Sequence, residues 1–191
     1  MRRSAASVLV SCAFLLHDDP TFAQSSSAFE HARGSFTSVQ QYVAAEAIPR
    51  QLSPPPNLVV SPLYRRLVES MLRDSPTFRR QCMRIAGEPE LTVRLGITSP
   101  PQISSLRAMT RLKRNAKGHL TANVDLAFSR DTEELIAHEF EHIIEQLDGV
   151  DLAARAAQRD TGVTLVGHTG DMFETARAKR VGLKVVSELQ R

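Results

Sequence analysis

Five consecutive residues, His138-Glu139-Phe140-Glu141-His142, bring together side chains that can bind and use a divalent metal ion. On an α-helix, residues four apart share a face about 6 Å apart along the axis, so the two imidazoles can aim at one ion. Glu139 then falls about 100° round from His138. It lies beside the ion, where a carboxylate can take a proton from a water that the metal activates. The plain alternative is two surface or satisfied polar histidines. With only 6 histidines among 191 residues, the five-position pattern should arise by chance in roughly one chain in a hundred or fewer.

The surrounding stretch, Thr132 to Asp148, reads as the helix this chemistry needs. Ile136, Phe140, Ile143, Ile144 and Leu147 make an apolar stripe opposite the histidines, giving one core face and one chemical face. Asp131 stands at the N-cap position with Glu134 three residues on, the spacing of a capping box, and Gly149 follows the last periodic residue.

Two histidines leave Zn²⁺ short of the three protein ligands that a catalytic site supplies, so a third is expected elsewhere. Glu174 is the favoured candidate. On a final helix from about Asp171 to Leu189 it would share a face with Ala178, Val181, Gly182, Val185 and Leu189, and a carboxylate on a buried stripe needs a cation or donors. Ala178 and Gly182 would let that helix approach another closely. The competing reading makes Glu174 the carboxylate of a capping box headed by Asp171. Asp148, six residues after His142, is a rival ligand only if the helix breaks, and Glu145 stands where that break would need glycine. In an unbroken helix Asp148 lies about 240° away from His142. His168 is the remaining candidate, either as ligand or as a hydrogen-bond donor to a developing oxyanion.

The rest of the chain must position these groups. Hydrophobic content of 42%, charged content of 24% and a net charge of +3 over 191 residues predict one domain with its own core and no polyelectrolyte partner such as nucleic acid. At the N-terminus, Arg2 and Arg3 precede an apolar run from Ala5 to Leu16, and Thr21-Phe22-Ala23 offers a cleavage site. Residues 1–23 are therefore expected to be a signal peptide and the protein to be exported, periplasmic or secreted. A buried N-terminal helix is the alternative, supported by the polar His17-Asp18-Asp19. Leu9-Val10-Ser11-Cys12 resembles a lipid-attachment site, although apolar residues continue past Cys12. No later segment is long enough to span a bilayer. Once residues 1–23 are removed, Cys82 is the single cysteine, expected as a small core residue with no disulfide partner.

Residues 24–56 read as a short helix bearing Phe36, Val39, Tyr42 or Val43 and Ala47, followed by the extended Pro54-Pro55-Pro56 linker. Residues 57–191 form the compact unit. Ser61-Pro62 and Ser75-Pro76 each place a capping serine before a proline at the first helical position. Alternation at Leu91 to Ile97, more weakly at Leu106 to Leu112, and at Leu120 to Phe128 predicts a small antiparallel or mixed sheet whose last strand leads into the His-Glu-x-x-His helix. The basic turn with Arg111, Lys113, Arg114 and Lys117 has no interleaved aromatic and reads as solvated. A short helix over Asp151 to Arg159 and a loop over Gly162 to Gly170 precede the final helix. The class is α+β.

HEFEH on a helix, followed downstream by Glu174 in FETARA, resembles the zincin metallopeptidases, specifically the gluzincin branch. The resemblance covers roughly Leu91 to Leu189. It implies a zincin-like fold, a zinc ion held by His138, His142 and Glu174, Glu139 as general base, and a peptide or protein substrate lying along an edge strand, which would be Leu120 to Phe128. Gluzincins often place an aspartate three or four residues after the third ligand to orient the first histidine, where this chain has Arg177 and Ala178. Glu141 or Glu145 are candidates to replace it. His168, Tyr42 and Tyr64 are candidates for stabilising the transition state. Two other classes remain: a non-catalytic zinc-binding or interaction protein, and a di-iron carboxylate bundle. The bundle needs two E-x-x-H motifs, and this chain has one.

Overall fold

The period-two stretches fold into a four-stranded mixed sheet. The computed structural model describes residues 53–97, 107–127, 129–166 and 172–191. The predicted signal peptide, the predicted helix over Ser35 to Ala47, His168, Tyr42 and Cys12 therefore lie outside the described residues. Strands β1 (Leu58–Val60), β2 (Leu91–Ile97), β3 (Ala108–Arg114) and β4 (Leu120–Leu126) are arranged in the order β1-β2-β4-β3. β1 and β4 both run parallel to β2, and β3 runs antiparallel to β4. β1 had no signal in the sequence, being a three-residue strand beside the proline run.

The β3–β4 hairpin is shaped by Asn115, whose side-chain oxygen accepts from the amides of Lys117 (2.9 Å) and His119 (3.0 Å). Gly118 takes a positive φ of 91° there, which a side chain would resist. This hairpin leaves β4 in the interior of the sheet and puts β3 at its edge. The expectation that Leu120 to Phe128 is the edge strand is thus corrected. β4 pairs on both sides because it lies between β2, to which it runs parallel, and β3, an order that local alternation does not reveal.

Alternation sends Leu91, Val93, Leu95, Ala108, Thr110, Leu112, Leu120, Ala122, Val124 and Leu126 to one buried face. Against that face packs α3 (Thr132–Leu147), while α1 (Pro62–Asp74), α2 (Pro76–Ala86) and α5 (Ala176–Leu189) complete the layer. Since α3 touches β3 and β4 on one side and α2 and α5 on the other, every residue from Leu135 to Glu145 is buried. The expected core face and chemical face are both buried, an arrangement that polar residues tolerate only where they find partners. Phe140 stacks on Phe78 at 5.5 Å between ring centroids. Cys82 is fully buried in the same core, and its burial pushes the thiol well above its ordinary range.

Capping follows the sequence at one proline-marked start and differs elsewhere. Ser75 accepts from the Phe78 amide at 3.0 Å, whereas Ser61 makes no side-chain cap. Asp131 makes no cap bond to α3 either, its carboxylate being paired with Arg107. Three short elements, α4 (Leu152–Ala156) and the antiparallel pair β5 (Val163–Val166) and β6 (Met172–Thr175), separate α3 from α5. The start of the predicted 162–170 loop is therefore a strand. Among the described residues no helix is long and apolar enough to cross a membrane.

Candidate metal centre

The two histidines sit where helical spacing puts them, with their Nε2 atoms 3.1 Å apart and both rings buried. Glu174 joins them: its Oε1 lies 3.3 Å from His138 Nε2, and one ligand atom from each of the three residues falls within 4.8 Å of the others. The carboxylate arrives by a different route from the one expected. Glu174 is on strand β6, one residue before the cap of α5, and Thr175 caps that helix by accepting from the Ala178 amide at 3.0 Å. A capping threonine ends the helical run at Ala176, so the stripe of Ala178, Gly182 and Val185 is buried without Glu174 belonging to it.

The close approach of α5 depends on Gly182. A Cβ there would lie 3.1 Å from Glu134 Cγ and from the Glu134 carbonyl oxygen, and 3.5 Å from His138 Cβ. The missing side chain thus seats α5 against the turn of α3 that carries the first histidine.

Asp148 is not part of the cluster. The helix runs unbroken to Leu147, and Asp148 at its C-cap is exposed and accepts from Arg177 at 3.0 Å. Arg177 also donates from Nε to Glu141 at 2.6 Å. Glu141 further accepts from Gln81 Nε2 at 2.8 Å, and the same amide donates to the Ala137 carbonyl at 2.9 Å. Glu141 is therefore engaged away from His138. Glu145 serves the other histidine, its Oε2 lying 2.9 Å from His142 Nδ1. Tyr64 belongs to the hydrophobic core of α1, and burial raises its phenol.

Glu139 is held by a residue whose role sequence reasoning missed. The Thr110 hydroxyl on β3 donates to Glu139 Oε2 at 2.6 Å, and both side chains are almost wholly buried. The available signal was a polar residue on the inward face of an alternating strand. Burial pushes Glu139 above the ordinary carboxylate range, against the opposing pull of His138, His142 and the Thr110 bond. Burial also opposes charge on His138, yet the hydrogen bond to Glu174 and the charges of Glu139, Glu174 and Glu134 hold it above its usual value. Glu174 mirrors this: desolvation would raise it, while the His138 bond and the charges of His138, His142 and Lys179 draw it down.

The donor set fits a cation. Glu174 Oε1 accepts from the Thr175 amide at 2.8 Å, whereas the buried Oε2 has no hydrogen-bond partner among the described residues. A buried carboxylate oxygen left without a donor is costly, and an ion shared with two imidazoles would satisfy it. Two imidazoles and one carboxylate suit zinc and neighbouring transition metals, and three protein ligands leave a position open. Comparisons with protein-family models, with curated proteins and with solved structures find no match for this chain.

Proposed function

We propose that the protein is a zinc-dependent metallopeptidase of zincin type, with His138, His142 and Glu174 as metal ligands and Glu139 as general base. The observation that carries this reading is the buried His138-His142-Glu174 cluster with a carboxylate anchored beside it. When bound, zinc would supply Lewis acidity that polarises a peptide carbonyl and makes a water easier to deprotonate. Thr110 holds Oε2 of Glu139, leaving Oε1 to take the proton of the attacking water and pass it to the leaving amine. Its raised affinity for protons suits a group that must first accept and then donate.

β3 is the sheet edge on this side, and the same strand carries Thr110. An extended peptide adding to that edge would lie beside the groups that act on it. The test is Glu139→Gln: hydrolysis of casein or a peptide library should disappear while zinc stays bound. Retained hydrolysis in that variant would refute the mechanism.

The degree of closure favours a second reading, a non-catalytic metal-binding protein. His138, Glu139 and His142 are at most 1% exposed, and structural zinc sites are closed where catalytic ones keep access. Stoichiometric zinc in wild-type protein that cleaves no peptide would select this second reading.

A further inference from the structure

Two buried residues behind the cluster are not among its candidate ligands, yet between them they bind two of the three, His142 and Glu174. We propose that Glu145 and Thr175 form a positioning pair that presets His142 and Glu174 for the cation and couples metal binding to the seating of α5. The inference rests on the metal-binding part of the function proposed above and is independent of hydrolysis.

The chain of contacts begins with a carboxylate, which can only accept. Glu145 Oε2 lies 2.9 Å from His142 Nδ1, so that nitrogen carries the ring proton. In the neutral ring Nε2 then holds a lone pair, and it is Nε2 that faces His138 Nε2 at 3.1 Å. The other oxygen, Glu145 Oε1, accepts from the Thr175 hydroxyl at 2.8 Å. Thr175 Oγ1 in turn accepts from the Ala178 amide at 3.0 Å and so caps α5, which leaves its own proton for Glu145.

Thr175 reaches the third ligand as well, its backbone amide donating to Glu174 Oε1 at 2.8 Å. Adjacent residues of a strand point to opposite faces, so one dipeptide on β6 offers a carboxylate to the cluster and a hydroxyl to the group behind it. Glu145 and Thr175 are 3% and 2% exposed, so water cannot replace these bonds cheaply. If α5 withdraws, Thr175 leaves Glu145, and the carboxylate that sets the His142 tautomer is free to turn.

The test uses full-length protein with ¹⁵N-labelled histidine. Long-range proton–nitrogen correlation reads the His142 tautomer without metal, and competition with a chromophoric chelator reads zinc affinity. The wild type should show an Nδ1–H ring at His142, and zinc should slow amide exchange over the first turn of α5. Glu145→Ala should shift the ring toward Nε2–H and lower zinc affinity by about 10–100-fold. Thr175→Val should lower affinity by about 10-fold and abolish the zinc effect on α5, and Thr175→Ser should restore both.

A purely structural role predicts instead that these variants lose thermal stability with tautomer and affinity unchanged, and that result would overturn the proposal. Should Glu145→Ala fail to fold, Glu145→Gln keeps the volume and an oxygen for Nδ1–H. It turns an NH₂ toward Thr175, whose oxygen can accept it through its second lone pair, so it should keep the tautomer and part of the coupling to α5. An Nε2–H ring at His142 in the wild type would overturn the proposal whether or not zinc binds. The expected tautomer and affinity changes in a protein that hydrolyses no peptide would support the pair while refuting the peptidase reading.

Discussion

Replacing Gly182 with alanine sets two effects of known size against each other. Glycine inside a helix costs about 1 kcal/mol relative to alanine, so an open position would gain roughly that much. Gly182 is not open, since its new Cβ would stand 3.1 Å from both Glu134 Cγ and the Glu134 carbonyl oxygen. The side-chain carbon can rotate away. The carbonyl belongs to the backbone of α3 and cannot, so α5 must retreat by about 0.4 Å to restore a contact near 3.5 Å. Overpacking of this kind costs about 1–3 kcal/mol. The net expectation for Gly182→Ala is a loss of about 0–2 kcal/mol, and Gly182→Val, with two more carbons and a branched Cβ, should lose about 3 kcal/mol.

Urea denaturation of metal-free protein, with the slope of the transition unchanged, measures this directly. Zinc affinity should fall in the same order, because His138 Cβ is 3.5 Å from the added methyl. A Gly182→Ala protein more stable than wild type by the full propensity gain would refute the claim that a bare helix face seats α5 at the first histidine.

Thr110→Val removes a buried donor from Glu139 with little change in shape and should cost about 1–3 kcal/mol of stability. If the protein hydrolyses peptides, kcat should fall by about 10-fold or more with KM little changed, and Thr110→Ser should recover it. Arg177→Ala leaves Glu141 buried with only Gln81 as partner among the described residues; since Arg177 is 40% exposed, a loss of about 2 kcal/mol is expected in denaturation.

Glu188 accepts from the Ser75 hydroxyl, the Thr77 amide and the Thr77 hydroxyl at 2.6, 2.9 and 2.7 Å, a carboxylate from α5 placed at the start of α2. Desolvation opposes the charge, but these donors outweigh it and hold the carboxyl below its usual range. A depressed folded value means the stabilisation is present above the unfolded value near 4.3 and is lost as pH falls through the folded one. Wild type should therefore lose about 1 kcal/mol more than Glu188→Gln between about pH 5 and pH 3, after solvent screening. Equal acid sensitivity would refute this.

Local spacing made the central helix legible. His138 and His142 meet because four residues of α-helix place them together, and Ser75, Pro76 and the alternating strands declare themselves within a few positions of sequence. Glu174 was readable as a carboxylate needing a partner, but not as a strand residue, because Thr175 ends the helix and β5 recruits Met172 to Thr175 only once both are folded. The sheet order is likewise nonlocal: alternation identifies β4 without saying that β2 and β3 flank it. Only tertiary structure brought Glu174 to the two histidines and left Asp148 away from them, placed Thr110 under Glu139, and gave Glu145 to His142. These choices depend on which side chains from distant segments share a dry space, where each unpaired polar group is costly. Sequence periodicity determines the elements that face that space, and packing determines which polar atoms meet inside it.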